Sequence, residues 1–170
     1  ACFVADEGTE RDVYVALTAI LNETDRLVVA PAITNPFSRH PVTTAAAIAT
    51  LAEIAPDRVW HGLGVGGTRV FEPLGLKPAR PYTALCEMLD VNQRLFRGEQ
   101  VSEASLRWSE ADIPIVIAGR GPRVQALGAS RADWVILSGK ALSEIPDAAA
   151  RIRSAGHAGI IWSAYLAYND

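Results

Sequence analysis

Residues 113–137 read IPIVIAGRGPRVQALGASRADWVIL, and this stretch decides the predicted fold. An apolar run over Ile113–Ala118 leads into a glycine-rich turn, a short helical pattern over Pro122–Ser130 and a second apolar run over Trp134–Leu137. Continuous apolar runs of this length are typical of strands that are buried on both faces, as in parallel sheets. The stretch therefore predicts a β-strand, a crossover helix and a second, parallel strand.

The same alternation continues in both directions along the chain. It predicts strands over Cys2–Ala5, Leu27–Ile33, Val59–Leu63 and Ile160–Leu166, and helices over Asp12–Leu21, Pro41–Ala55, Tyr82–Phe96 and Leu142–Ala155, the last kinked or restarted at Pro146. Strict alternation predicts an α/β protein with parallel strands, either an open doubly wound sheet or a (β/α)8 barrel. Six predicted strands are too few for a complete barrel of about 250 residues. We therefore expect one domain over residues 1–170, an incomplete barrel of about six β/α units that lacks the first and last units.

Composition excludes several classes of protein. The chain has 170 residues, of which 49% are hydrophobic and 21% charged, so it can bury a core and is not disordered. No apolar run reaches the roughly 18 residues of a membrane span, and the N-terminal residues show no signal-peptide pattern. A net charge of −3 with both signs scattered argues against a nucleic-acid or membrane partner. We expect a cytoplasmic homo-oligomer that acts on a small molecule.

The cysteines and histidines give no metal-binding pattern. Cys2 and Cys86 lie in apolar segments, which favours buried thiols in a reducing compartment. His40, His61 and His157 are far apart, so a zinc centre is not expected. We expect His40 to cap a helix or lie on the surface, His61 to be a satisfied core residue and His157 to lie in a solvated loop.

Glycine and polar residues follow successive predicted strands. In parallel α/β proteins the carboxyl ends of the strands carry the functional site. Glycine there lets a ligand approach the backbone, and amides near helix N-termini bind phosphate. The pattern indicates a phosphorylated cofactor or substrate, although ordinary strand-to-helix turns have the same composition. The segments are residues 6–8, 34–40, 62–67, 119–122 and 138–140.

Three familiar functional patterns do not fit. Residues 62–67 match the dinucleotide fingerprint Gly-x-Gly-x-x-Gly, but the prolines at 73, 78 and 81 predict that no crossover helix opens at Gly67, as that fingerprint requires. The sequence contains no Gly-x-Ser-x-Gly nucleophile elbow. Asp6 and Glu7 are adjacent, so in a strand their side chains point to opposite sides and cannot by themselves form a catalytic carboxylate pair. We assign no catalytic residue. A site with many backbone N–H donors but few candidate acids, bases or nucleophiles is typical of enzymes whose cofactor performs the reaction itself.

Five segments occur in a familiar order and at familiar intervals. They read VADEG from Val4, NPFSRHP from Asn35, GLGVGG from Gly62, AGRGP from Ala118 and ILSG from Ile136. Together they resemble the luciferase-like flavin and deazaflavin oxidoreductases, and most of all the 5,10-methylenetetrahydromethanopterin reductase-like proteins. The resemblance implies a (β/α)8 barrel that binds coenzyme F420 or FMN at its C-terminal rim. It also implies hydride transfer between that cofactor and an organic substrate, or oxygen activation on the flavin.

The resemblance further implies roles for individual residues. A non-prolyl cis peptide bond is expected between Ala32 and Ile33, behind the flavin ring. Asp6, Asn35, Gly64 and Gly66 correspond to positions around the ring. The cofactor phosphate corresponds to Gly119, Arg120, Gly121, Pro122, Ser138 and Gly139. Lys140 corresponds to a lysine that some deazaflavin-dependent sugar-phosphate dehydrogenases use for an anionic substrate.

The chain also departs from the family pattern. Gly67 stands where some deazaflavin enzymes carry a glutamate proton donor, and residues 98–112 are shorter than the usual hairpin insertion. An F420- or FMN-dependent oxidoreductase is the first hypothesis, with an FMN-dependent monooxygenase as its variant. A non-catalytic flavin-binding remnant is the second hypothesis. The third is another phosphate-binding barrel enzyme, such as an isomerase or aldolase.

Overall fold

The computed structural model describes residues 1–109 and 111–164, which form two compact units, one over Ala1–Pro114 and one from Ile115 onward. Strands and helices alternate in each unit, and paired strands run parallel. The predicted α/β fold is therefore confirmed. No helix within the described ranges is long and apolar enough to cross a membrane.

The first unit contains three parallel strands and four helices. These are β1 (Cys2–Val4), α1 (Val13–Asn22), β2 (Val29–Pro31), α2 (Pro41–Ile54), β3 (His61–Gly64), α3 (Thr68–Phe71) and α4 (Pro81–Phe96). Strand β1 pairs with β2, and isolated parallel bridges connect Val29 with Val59 and Thr34 with Leu63. The core lies between these strands and the apolar faces of the helices. It includes Val13, Leu17, Val29, Ile48 and Leu95.

Side chains just outside the first unit's helices determine where two of them begin. The Asp12 carboxylate accepts the N–H of Tyr14 at 3.0 Å and that of Val15 at 3.2 Å, which caps α1. The imidazole Nδ1 of His40 accepts the N–H of Val42 at 3.2 Å and caps α2. The expectation that His40 caps a helix is therefore confirmed.

One local expectation for the first unit is confirmed and two are wrong. No crossover helix opens at Gly67, as expected, and only the four-residue helix α3 begins there, because the Gly67 carbonyl accepts the N–H groups of Val70 and Phe71. It ends before Pro73, and the long helix α4 begins only at Pro81. Cys2 and Cys86 are half-buried rather than buried. The predicted strand over Leu27–Ile33 is observed only over Val29–Pro31.

The second unit is a run of three adjacent parallel strands with helical crossovers. Its elements are β4 (Ile115–Ala118), α5 (Pro122–Arg131), β5 (Trp134–Ser138), a 3-10 turn (Leu142–Glu144), α6 (Ile145–Ala155) and β6 (Gly159–Ser163). Strand β5 lies between β4 and β6. The restart expected at Pro146 is confirmed, since Pro146 lies in the first turn of α6. The part of the predicted last strand over residues 165–166 lies outside the described residues.

Asp133 joins the starts of β4 and β5. Its carboxylate accepts the N–H of Ile115 at 2.7 Å, and its own N–H donates to the Ile115 carbonyl at 2.9 Å. Helix α5 packs closely on these strands at Gly128, where a Cβ would lie 2.8 Å from Val135 and 2.9 Å from Ile117. The bonds of Asp133 hold the second unit together at the amino ends of β4 and β5, opposite the predicted site.

Candidate functional site

In the first unit, the chain after β2 runs close to β3. The N–H of Thr34 donates to the Gly62 carbonyl at 3.1 Å, and the N–H of Gly64 donates to the Thr34 carbonyl at 3.0 Å. A Cβ at Gly62 would overlap the carbonyl oxygen of Pro31. Only glycine permits this approach, which places the segment after β2 beside the glycine-rich segment after β3.

Asn35 lies at this junction and is fully buried. Its side-chain oxygen accepts the N–H groups of Phe37 at 3.0 Å and Ser38 at 3.1 Å, and its Nδ2 donates to Ser38 Oγ at 2.9 Å. The residue expected to contact the ring system therefore builds the turn that leads into α2. A Cβ at Gly66 would lie 3.3 Å from the Asn35 Cβ, so these two predicted site residues lie together.

The peptide bond between Ala32 and Ile33 is cis. The position that the resemblance implies for this bond is therefore confirmed. Both residues are half-buried and directly precede the buried Thr34.

An aromatic pair packs over the glycine-rich segment. Gly66 has φ of +77°, a conformation that side chains disfavour, and a Cβ there would overlap the ring of Phe71. The rings of Phe37 and Phe71 meet edge to face with centroids 5.6 Å apart. The short helix α3 thus contributes a side chain to the predicted ring-binding region, a contribution that the sequence did not reveal.

Asp6 lines a small cavity in the first unit together with Gly8, Ser38, Arg39 and Leu74. Its volume is about 180 Å³, below the roughly 300 Å³ at which ligand pockets usually begin. The cavity therefore suits part of a ligand or a small substrate rather than a whole cofactor.

Arg39, one of two arginines that line this cavity, is held in place by two neighbours. Its Nη2 lies 2.7 Å from the Asp12 carboxylate, and its guanidinium carbon lies 4.5 Å from the centre of the Tyr14 ring. Partial burial raises the pKa of Asp12, but the N–H of Val15 and the charge of Arg39 outweigh that effect and lower it overall. Sequence reasoning placed Arg39 only within the polar segment 34–40 and assigned no role to Asp12 or Tyr14.

Tyr14 brings a buried hydroxyl close to the same region. Burial raises the pKa of Tyr14 to about 12, because the charged phenolate would lose its hydration. Its hydroxyl and those of Thr34 and Thr44 are buried, and none has a partner in good hydrogen-bond geometry among the described residues. Tyr14 therefore stays protonated near neutral pH and can donate a proton only in a hydrogen bond.

His61 on β3 is fully buried and takes part in a chain of hydrogen bonds. The amide of Asn92 donates from Nδ2 to the Pro41 carbonyl at 2.8 Å, so its oxygen faces His61 Nε2, also at 2.8 Å. His61 must then carry its proton on Nε2, while Nδ1 is buried and finds no partner among the described residues. His61 was expected to have hydrogen-bond partners for its ring nitrogens, but among the described residues only Nε2 has one. Burial lowers its pKa to about 4, although the bond with Asn92 opposes that shift.

In the second unit, residues 119–122 form a tight loop between β4 and α5. A Cβ at Gly119 would overlap the side chain of Val124, so the loop can fold back onto the helix only with glycine there. The Nε2 atom of Gln125 donates to the carbonyl oxygens of Gly119 at 3.1 Å and Arg120 at 3.2 Å. Gln125 is 2% exposed, so the loop rests on a buried amide.

The outer side of this loop is open. A Cβ at Gly121 would meet no atom within 4 Å, and no side chain caps the N-terminus of α5. Arg120 extends over Gly139, where a Cβ would lie 3.2 Å from the guanidinium Nε. The structure therefore brings the predicted phosphate residues of the two loops together around a cation and a helix N-terminus.

Lys140 follows Gly139 and is held in an ion pair. Its Nζ lies 2.9 Å from Glu144 Oε1, and the other oxygen of Glu144 accepts the N–H of Ala141 at 2.9 Å. The hydrogen bond from Lys140 lowers the pKa of Glu144 and so favours its charged carboxylate. An anionic substrate would have to compete with Glu144 for this lysine. The four-residue spacing of the pair could have been read from the sequence.

These features can be compared with known proteins. A sequence model of the luciferase-like monooxygenase family matches residues 1–164. The chain belongs to this family. It is 30% identical over 145 residues to the 5,10-methylenetetrahydromethanopterin reductase of Archaeoglobus fulgidus, covering 80% of this chain and 44% of the reductase. It is 31% identical over 146 residues to the F420-dependent glucose-6-phosphate dehydrogenase of Nakamurella multipartita, covering 77% and 43%.

Solved structures show the same fold. The coenzyme F420-dependent tetrahydromethanopterin reductase of Methanopyrus kandleri superposes with a TM-score of 0.78 at 22% identity, over 96% of this chain and 56% of that one. A monooxygenase from Streptomyces bottropensis superposes with a TM-score of 0.73 at 19% identity, over 86% and 49%. The predicted fold, a luciferase-like barrel present in part, is confirmed. The chain spans about half the length of these luciferase-like relatives.

Proposed function

We propose that this chain is part of a barrel oxidoreductase that transfers a hydride between coenzyme F420 or FMN and a small organic substrate. Membership of the luciferase-like family supports the proposal. So do two relatives of about 30% identity, a 5,10-methylenetetrahydromethanopterin reductase and a dehydrogenase named for its dependence on F420. The open loop at Gly121 is the observation that carries it.

The residues around this loop fit a phosphate group, which both cofactors contain. A Cβ at Gly121 would enter open space at an uncapped helix N-terminus, so the site has room where amide donors are available. The Arg120 guanidinium adds a positive charge on the same side, over Gly139. We assign Gly119, Arg120, Gly121, Pro122, Ser138 and Gly139 to the cofactor phosphate.

Residues of the first unit suit the ring system of the cofactor. Gly66 is half-buried and packs under the Phe71 ring, which offers an apolar surface beside the segment after β3. We assign Asp6, Ala32, Ile33, Asn35, Gly64 and Gly66 to this role. When bound, F420 or FMN supplies the atom that accepts or donates the hydride. Tyr14, protonated near neutral pH, is suited to donating a hydrogen bond but not to accepting a proton.

Cofactor titration tests the proposal. The purified chain is titrated separately with F420 and with FMN, following the quenching of cofactor fluorescence, and is compared with Gly121→Leu and Ala126→Leu. Gly121→Leu fills the open space with an apolar side chain and should weaken binding at least about tenfold, whereas Ala126→Leu adds the same bulk to an exposed position of α5 and should not. Binding of neither cofactor, or equal binding by all three proteins, would refute the assignment.

The same titration separates two reactions. Gly67 is exposed and offers no carboxylate where some deazaflavin enzymes place a proton donor, which favours the FMN-dependent monooxygenase as the second candidate. Preference for FMN, with substrate-dependent oxygen consumption, would select it over the F420-dependent reductase. We further propose that the enzyme is a cytoplasmic homo-oligomer, which light scattering and cell fractionation test.

A further inference from the structure

The side-chain amide nitrogen of Gln125 donates to two successive backbone carbonyls. Gln125 lies on the first turns of α5, and the structure gives its Nε2 two acceptors, the successive carbonyl oxygens of Gly119 and Arg120 at 3.1 and 3.2 Å. The amide nitrogen has two protons, one for each carbonyl. Because Gln125 is 2% exposed, both carbonyls are directed towards the interior of the second unit.

These two bonds determine where the neighbouring N–H groups point. In a trans peptide the carbonyl and the following N–H lie on opposite sides of the bond. If the carbonyls of Gly119 and Arg120 point inward to Gln125, the N–H groups of Arg120 and Gly121 point away from it. Both of these residues are exposed. Successive N–H groups on one side of the backbone form a concavity that binds anions.

We propose that Gln125 is a positioning residue that orients the Arg120 and Gly121 amides toward the cofactor phosphate. The inference rests on the proposed function only for the identity of the anion. Gln125 touches no ligand and acts through the two peptide units that it holds. An apolar side chain of the same length would fill its space but leave two buried carbonyls without donors, so the peptide units would be free to rotate.

Gln125→Met tests this role, because it keeps the length of the side chain and removes both donors. The control is Leu127→Met, which changes a buried side chain of the same helix away from the loop. We expect Gln125→Met to weaken F420 or FMN binding at least about tenfold, the equivalent of about one lost hydrogen bond, and Leu127→Met to leave it within about twofold. Equal affinities in the two variants, at comparable melting temperatures, would overturn the proposal.

Gln125→Glu adds a readout that a purely structural role would not give. The carboxylate offers no donor to the carbonyls, whereas the protonated acid offers one. Cofactor affinity of this variant should therefore rise as the pH falls, relative to the parent at the same pH. If the ratio of the two affinities does not change with pH, the donors of Gln125 do not position the loop.

Hydrogen exchange separates failure of this inference from failure of the proposed function. In the ligand-free chain, the backbone N–H at position 125, which donates to the Gly121 carbonyl at 3.1 Å, should exchange at least about tenfold faster in Gln125→Met than in Leu127→Met, because the freed loop opens that bond more often. If the parent binds neither cofactor but this difference is seen, the proposed function fails and the positioning role of Gln125 is supported. If exchange is the same in both variants, the positioning role fails whatever the cofactor does.

Discussion

Replacing His61 by glutamine should make the stability of the chain less sensitive to acid. His61 is fully buried, and burial lowers its pKa from an ordinary value of 6.5 to about 4. Between these values the unfolded chain binds a proton at this residue and the folded chain does not. Stability is therefore unaffected above pH 6.5 and falls as the pH drops from 6.5 towards 4.

The loss of unfolding free energy can be calculated from the shift in the pKa of His61. One pKa unit corresponds to about 1.4 kcal/mol, so the His61 contribution should cost about 2 kcal/mol of unfolding free energy between pH 7.5 and pH 5. Glutamine removes the titration and retains an amide that can donate toward the Asn92 oxygen, the partner of His61 at 2.8 Å. The variant should thus lose about 2 kcal/mol less than the parent over the same interval, whatever its stability at pH 7.5.

Urea denaturation followed by circular dichroism at pH 5, 6 and 7.5 measures this difference. His157→Gln is the control, because His157 is exposed and the variant should follow the parent. Carboxylates that titrate at lower pH are common to all three proteins and cancel in the comparison. Parallel pH profiles for the parent and His61→Gln would refute the reasoning, since they would mean that a proton reaches the buried ring without cost.

Three further predictions concern residues that fix the course of the backbone. Gly62→Ala should cost about 3 kcal/mol of unfolding free energy, because its Cβ would overlap the Pro31 carbonyl; a variant as stable as the parent in urea would show that the strands do not approach this closely. Asp12→Ala should cost about 1 kcal/mol and Asp12→Asn much less, because only alanine removes the cap of α1; equal thermal denaturation midpoints would contradict this. Asp133→Ala should cost about 1–3 kcal/mol by removing the acceptor of the Ile115 N–H, and an unchanged denaturation midpoint would argue against that bond.

The elements that the sequence predicted well are those whose burial leaves a periodic or continuous apolar pattern. Strands β4 and β5 appear as apolar runs because both faces are covered, and the structure shifts their ends by two residues or fewer. The start of β4 is later than predicted because Pro114 cannot donate to a strand ladder. Helix α3 was not predicted because it consists of four residues held by the carbonyls of Gly67 and Thr68, and four residues are too few to show a helical period.

The candidate site likewise contains some features that the sequence reveals and others that it does not. Glycines after strands were recognisable from the sequence, since their lack of a side chain is itself the signal. The bonds that orient the loops were not recognisable, because they depend on the direction of side chains in the folded chain. Gln125 reads as one polar residue in a helix, and Arg39 is 27 positions from the Asp12 carboxylate that holds it. These hydrogen-bond partners can be recognised only in the folded chain, where the side chains and their acceptors lie side by side.

Asp133 has a consequence for the far ends of the strands that it joins. One residue advances a strand by about 3.3 Å, more than the length of a hydrogen bond. If β4 slipped by one position against β5, the Ile115 N–H would lose the carboxylate, and Gly119 would move by that distance relative to Gly139. An acidic side chain at the beginning of the sheet thus helps to align the two loops proposed to bind the cofactor phosphate, which follow the other ends of β4 and β5. A chain that folded with β4 out of register would therefore lose the Asp133 hydrogen bond at the amino ends of the strands. We expect the same chain to bind the cofactor more weakly, because the loops at the carboxyl ends would be misaligned.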